Sequence, residues 1–402
     1  MSMPSTFTAS RGGMSPRATT AYAVVTAVSF SATSSAPTPL YHVYQQAMGL
    51  SPLTVTLIFA SYAFTMVATF LTLARLSDYV GRRPMILAAL LLNSISLALF
   101  IIGGSVPILI AARLVQGVAI SIGMATLGAT ILDADRVRGP VFNSITAFTG
   151  LTIGALLGGA LVSWAPLPMH LVFVVLLGVT LTEAALLTWV PETIARKAGA
   201  WRVLRPTVNI PAAALPALLR LTPLTLAAWA MGGFYLSLMP TLVAVATGTN
   251  SVFVGAAVVS ALMATATLTV LARRKTPPAR LLPQGALLLA LGVAVTLTGV
   301  TRQSAAIMLL GTLIAGVGFG SGYSGTFRTL LPLAAEHERA GLLAAYFVES
   351  YLAFAVPAVL AGLGAPVLGL ILTSKLYGAG AIALALLSAL TNSRPRVRRC
   401  TA

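Results

Sequence analysis

The chain has 402 residues, 57% of them hydrophobic and only 8% charged, with a mean hydropathy of +0.94. A soluble domain needs far more charged surface, so the composition places the chain in the membrane class. The net charge of +17 would point to nucleic acid in a soluble protein, but its distribution argues for a topology signal and no nucleic-acid partner.

Residues 1–18 read as a short basic tail carrying Arg11 and Arg17. The apolar run at 19–38, followed by small polar residues, imitates a signal peptide but reads here as an uncleaved first span. Further runs of about the length that crosses a bilayer follow at 54–75, 84–103, 106–132, 140–163 and 169–190. The break at 191–221 is basic and proline-rich, and reads as a central linker. Six more spans come at 222–246, 251–272, 281–301, 305–333, 340–363 and 366–390, before a basic tail at 392–402 that holds the single cysteine, Cys400. No alternating pattern of barrel strands appears. The expected fold is all-α and polytopic, with six-helix bundles at 19–190 and 222–391.

An even number of spans places both termini on one side. The tails and the loops after spans 2, 4, 6, 8 and 10 hold twenty-one of the twenty-five Lys and Arg residues, so that side is expected to be cytoplasmic, in a cell membrane, facing anionic lipid headgroups. The halves rhyme weakly at an offset near 201, pairing Pro39 with Pro240, Gly117 with Gly318, and "RVRGP" at 136–140 with "HERAG" at 337–341. Parallel six-span repeats suit a two-bundle transporter.

The loop after span 2 reads "ARLSDYVGRRPMIL". In it Leu76, Asp78, Gly81, Arg82 and Arg83 resemble the loop signature of the major facilitator superfamily, with Ala74 in place of the usual first glycine. Asp78 can cap a short helix or pair with an arginine, Gly81 permits a tight turn, and the arginines can hold neighbouring helix ends. "RLVQG", Arg113 to Gly117, resembles the family's element in span 4, whose arginine is associated with the central cavity and proton coupling. "GLTIGALLGG" resembles the span 5 glycine motif of twelve-span drug/proton antiporters, with Ala155 where that motif usually has proline. Its Gly150, Gly154, Gly158 and Gly159 allow close helix approach, and the functional reading is a pivot between bundles. "PET" at 191–193 is a frequent ending to span 6.

Five ionisable groups lie inside spans: Arg113, Glu183, Arg328, Glu349 and Lys375. Each is costly there and so a functional candidate. Glu349 lies roughly 14 Å above the start of span 11, near the midplane. It reads either as a proton-coupling carboxylate or as a structural group paired with Arg328. Arg113 and Glu183 are further coupling candidates, whereas Lys375 reads as snorkelling. Thr38, Tyr41, Gln116, Asn143 and Tyr323 are candidates for lining a largely apolar cavity.

The chain carries no nucleotide loop, no Ser/His/Asp constellation and no metal-ligand spacing. The resemblance therefore implies a monomeric secondary transporter rather than an enzyme. It would need no cofactor and would use a proton gradient to export small, largely apolar compounds. Uptake of a metabolite in the same fold, or a non-transporting membrane sensor, are the alternatives.

Overall fold

The computed structural model describes residues 13–73, 75–200, 204, 208–335 and 338–393. Arg11, Ala74, Arg202, Arg205, His337, the arginines from Arg394 onward and Cys400 lie outside them. In chain order the helices are α1 (Pro16–Ser35), α2 (Leu40–Met48), α3 (Pro52–Leu73), α4 (Ser77–Val80), α5 (Arg82–Ile102), α6 (Val106–Ala134), α7 (Gly139–Trp164) and α8 (Leu171–Leu186). The second half supplies α9 (Leu215–Ser237), α10 (Met239–Thr247), α11 (Val252–Ala272), α12 (Pro278–Thr301), α13 (Ala305–Leu330), α14 (Arg339–Leu368) and α15 (Leu370–Ser393).

Among the described residues, eleven helices are long and apolar enough to cross a membrane. The twelfth expected span is α1 with its continuation α2. Its sequence, rich in Thr and Ser, would make a poor lipid surface, but most of α1 is buried against α6, α7 and α8. It needs no apolar stripe facing lipid. Pro37 and Pro39 break the helix in a turn at 36–39, and in the second half Pro240 starts α10 after a matching break. Proline is tolerated at such starts because its missing N–H would be unbonded anyway.

Several expected boundaries move by a few residues, two of them for a visible reason. Span 7 begins at Leu215 rather than 222, because Pro216 sits in the first turn of α9 and Pro223 is accommodated inside it. The linker between bundles is correspondingly shorter. The last span starts at Leu370, after Gly369 turns the chain with φ +79°.

Helices α1–α8 form one bundle and α9–α15 the other. The bundles meet through two equivalent pairs, α7 on α11 and α14 on α3, as a twofold repeat of six spans requires. The structure also corrects the repeat's register. A Cβ on Gly117 would lie 2.6 Å from the Tyr62 carbonyl and 2.9 Å from Thr65 Cβ, and one on Gly316 would lie 2.7 Å from the Leu262 carbonyl and 2.8 Å from Thr265 Cβ. Gly316, not Gly318, is therefore the partner of Gly117. Gly318 instead lets α13 approach Leu289 and Gly285 of α12.

The loops after α3, α6, α8, α11 and α13 lie at one end, the basic face. At the opposite face the bundles are fastened together. Thr241 Oγ1 donates to Gln45 Oε1 at 2.7 Å, Trp164 meets Phe253 in a tilted ring contact at 4.7 Å, and Gly362 lies against Thr56.

Candidate functional site

Between the bundles, on the basic side of that seal, lies a cavity of ≈ 400 Å³. Its size falls in the range of sites for drug-sized ligands. From the first bundle it is lined by Ser31, Ser34, Tyr62, Asn143 and Phe148, and from the second by Trp229, Phe319, Tyr323, Phe347 and Tyr351, among others. Among the described residues, no Asp, Glu, Lys, Arg or His side chain lines it. The aromatic rings interlock across the bundle boundary. Phe148 meets Tyr323 edge-on at 4.9 Å, Phe59 meets Phe354 at 4.9 Å, and Phe70 meets Phe347 at 5.0 Å toward the basic face. Trp229 anchors the far wall, its indole N–H donating to Tyr346 Oη at 3.2 Å.

Of the five residues expected to line this space, Asn143 and Tyr323 do so; Thr38, Tyr41 and Gln116 do not. Thr38 sits in the turn between α1 and α2, its N–H donating to Ser35 at 2.9 Å. Tyr41 and Gln116 belong instead to the cage around Arg113. That guanidinium is 1% exposed. It donates to the Ser34 carbonyl at 2.9 Å, to Gln116 Oε1 at 2.6 Å and to Tyr41 Oη. The rings of Tyr41, Tyr62 and Phe100 surround it at 5.5 to 5.6 Å. Gln116 completes the set by donating to the Thr33 carbonyl at 2.9 Å. No carboxylate is within ion-pair distance of Arg113 among the described residues, so hydrogen bonds and ring faces hold this cation. It locks α6 to the broken end of α1.

The loop signature has a defined structure. Asp78 lies in the single-turn helix α4 and pairs with Arg82 Nη1 at 2.6 Å. Gly81, at φ +110°, then turns the chain into α5. Arg82 also donates to Ser77 Oγ at 2.7 Å and to Asp133 Oδ2 at 3.1 Å. Glu192, from the "PET" segment, accepts the backbone N–H groups of Arg82 and Arg83 at 2.8 and 3.1 Å, the two donors that open α5. Arg83 Nη2 reaches the Thr188 carbonyl at 3.1 Å. Asp133 and Glu192 were not singled out by sequence reasoning, although an acidic residue on so basic a face was the available signal. Among the described residues, the second bundle forms no matching ion pair. There Arg273 donates to Ser321 at 3.0 Å and to Gln284, and Arg328 to the Thr276 carbonyl at 2.8 Å.

Arg328 therefore forms no pair with Glu349, contrary to one expectation. Glu349 lies on the face of α14 turned away from the cavity, beside Thr222 of α9, and its Oε1 is buried without a hydrogen-bond partner. Glu183, 5% exposed, is likewise off the cavity, between α8 and α1. The glycine ridge also differs from expectation. Gly150, Gly154 and Gly158 pack α7 onto α1 of the same bundle, and of the four only Gly159 meets the other bundle, at Ala256.

The sequence model of the Major Facilitator Superfamily matches residues 23–356. The chain belongs to the Major Facilitator Superfamily. No curated protein sequence matches it. Among solved structures, a mutant of the nucleoside transporter NupG superposes with a TM-score of 0.73 at 12% identity, over 92% of this chain and 98% of that one. A bacterial homolog of the human lysosomal transporter Spinster, inward-facing and unoccupied, gives 0.74 at 14% identity over 94% and 97%. The human organic anion transporter MFSD10 gives 0.68 at 15% identity over 93% and 99%. These likenesses concern the fold. The family match makes this facilitator a multi-pass membrane transporter rather than an enzyme.

Proposed function

We propose that the protein exports small, uncharged, largely apolar or aromatic compounds across the cell membrane, driven by the proton gradient, with its basic face cytoplasmic. The cavity carries this reading. It is aromatic on both sides, contributed by both bundles, and among the described residues holds no acidic or basic side chain. Such a lining rewards burial of apolar and aromatic surface and would leave a charged cargo without a counter-charge. With the basic face cytoplasmic, the seal at the opposite face supports reading this as an inward-facing state, and rocking of the bundles exchanges the sides.

Glu349 is the proposed proton carrier. Its carboxyl sits inside a span with Oε1 unpartnered, on the same helix whose Leu343, Phe347, Tyr351 and Phe354 line the cavity. A movement of α14 that closes on cargo changes the surroundings of that carboxyl at the same time, which is the coupling an antiporter needs. A second reading, uptake by symport, is supported by Ala155 at the position where the antiporter glycine motif usually has proline. Proteoliposomes with an imposed pH gradient and a neutral aromatic fluorophore test the proposal. Gradient-driven movement of the dye against its concentration, lost in Glu349→Gln, supports it. Gradient-driven transport intact in Glu349→Gln removes the assigned role, and movement down the proton gradient with the dye favours symport.

A further inference from the structure

The wall of α1 opposite the cavity carries a second polar site. Tyr22, Thr26 and Ser29 recur at helical spacing and face α8, whereas Ala27, Ser31 and Ser34 on the other side line the cavity. Tyr22 Oη donates to the backbone carbonyl of Glu183 at 2.9 Å, and Thr26 lies beside Tyr22. Ser29 lies beside the Glu183 carboxyl. Thr26 and Ser29 are 0% and 8% exposed, and Glu183 is 5% exposed. Apart from the loose approaches of Ser29 to Glu183 and of Thr26 to Tyr22, Thr26 Oγ1, Ser29 Oγ and both carboxyl oxygens of Glu183 have no partner at full hydrogen-bond distance and angle. Buried polar atoms are ordinarily paired; here three of these atoms, Ser29 Oγ and the two Glu183 oxygens, belong to one α1–α8 contact, with Thr26 beside Tyr22 on the same face of α1.

We infer that the α1–α8 pocket around Glu183 binds one sodium ion. The reasoning is chemical. Every unpartnered atom is oxygen, the donor set that hard cations take. When Glu183 is ionised the set holds a single carboxylate and otherwise neutral hydroxyls, so one monovalent cation, taking the place of the carboxyl proton, balances it and a divalent ion would leave an excess. No Lys or Arg nitrogen pairs with Glu183 among the described residues, so the balancing charge comes from outside the chain. A bound ion would fasten Tyr22, Thr26 and Ser29 to α8 and so fix the posture of α1, whose other side forms the cavity wall. The site shares no side chain with the cavity, and the inference stands apart from the direction and driving force proposed above.

Thermal unfolding of the purified, full-length protein in detergent tests it, with sodium chloride compared with choline chloride at equal ionic strength. Stabilisation by the ion follows its binding to the folded state. The unfolding temperature is expected to rise saturably with sodium and to respond more weakly to potassium. Ser29→Ala and Thr26→Ala, which keep the carboxylate, are expected to raise the half-saturating concentration roughly tenfold, and Glu183→Gln to abolish the response. Sodium no better than choline overturns the inference, as does a sodium response unchanged in all three variants. If Glu183→Gln fails to fold, the two hydroxyl variants decide. Because the readout uses neither cargo nor gradient, sodium binding without dye transport defeats only the proposed function, and dye transport without sodium binding defeats only this site.

Discussion

Glu192 Oε1 accepts the backbone N–H of Arg82 at 2.8 Å, so a residue just beyond the first bundle's last span caps the helix that opens its third. The same carboxylate takes the N–H of Arg83, which is how the basic loop is tied to the start of the inter-bundle linker. Glu192→Ala removes both acceptors from an exposed site, where water replaces part of the loss. Destabilisation of about 1 kcal/mol is expected, measured by denaturant or thermal unfolding. Asp133→Asn, which weakens contacts to both Arg82 and Thr193, should be non-additive with it, because the two acids act on one loop.

The twin crossings predict a matched pair of defects. Gly117→Ala drives a methyl into the α3 backbone and Gly316→Ala does the same at α11. Each should lose about 1–3 kcal/mol through overpacking, and the two losses should be similar in size. Gly178→Ala on α8, where nothing lies within 4 Å, is the control, expected to be neutral or up to about 1 kcal/mol stabilising through helix propensity. Unfolding temperatures of the three variants check the ordering.

Arg113→Lys keeps the charge but loses the planar fork that reaches Ser34, Gln116 and Tyr41 together. An ammonium on a single-point stem leaves at least one buried acceptor unpaired, at a cost of about 1–3 kcal/mol. The expected result is a lower unfolding temperature despite conserved charge, with Arg113→Met informative about how much of the loss is charge and how much is geometry.

Trp229→Ala removes the ring that sits 5.3 Å from Tyr351 and 6.1 Å from Phe354. Losing an aromatic contact of about 1–1.5 kcal/mol should weaken an aromatic cargo roughly tenfold, read from fluorescence titration of the dye. Asn143→Asp places a charge in the otherwise uncharged lining and also loses the amide that donates to the Gly128 carbonyl at 2.9 Å; it should weaken the same dye and lower the unfolding temperature.

The architecture was legible in the sequence because its signals are long-range averages: apolar run length, the bias of arginine between alternate loops, and a proline-rich midpoint. The loop signature was legible too, since Asp78, Gly81 and Arg82 act within a few residues of each other. Contacts that depend on rotation about a helix were not. Tyr41 and Gln116 have the polarity of cavity residues, but the turn at 36–39 aims Tyr41 at Arg113. The glycines at 150, 154 and 158 announce close approach without naming the partner, and that partner is α1. Gly318 matched Gly117 at the offset set by Pro39 and Pro240, whereas the local offset between α6 and α13 is two residues smaller. The cavity's main aromatic anchor, Trp229, sits in an apolar run where nothing local distinguishes it from a lipid-facing ring.

The absence of fixed charge in the cavity lining has an electrical consequence. An uncharged cargo crossing such a wall moves no charge through the membrane field, and the wall itself contributes no gating charge. Any ion that accompanies the cycle then carries its full charge across the field, worth about 2.3 kcal/mol per 100 mV. Voltage therefore acts on the ion alone. Chemically different neutral cargoes should generate the same current per turnover, and lowering the ionic strength should leave their affinities unchanged.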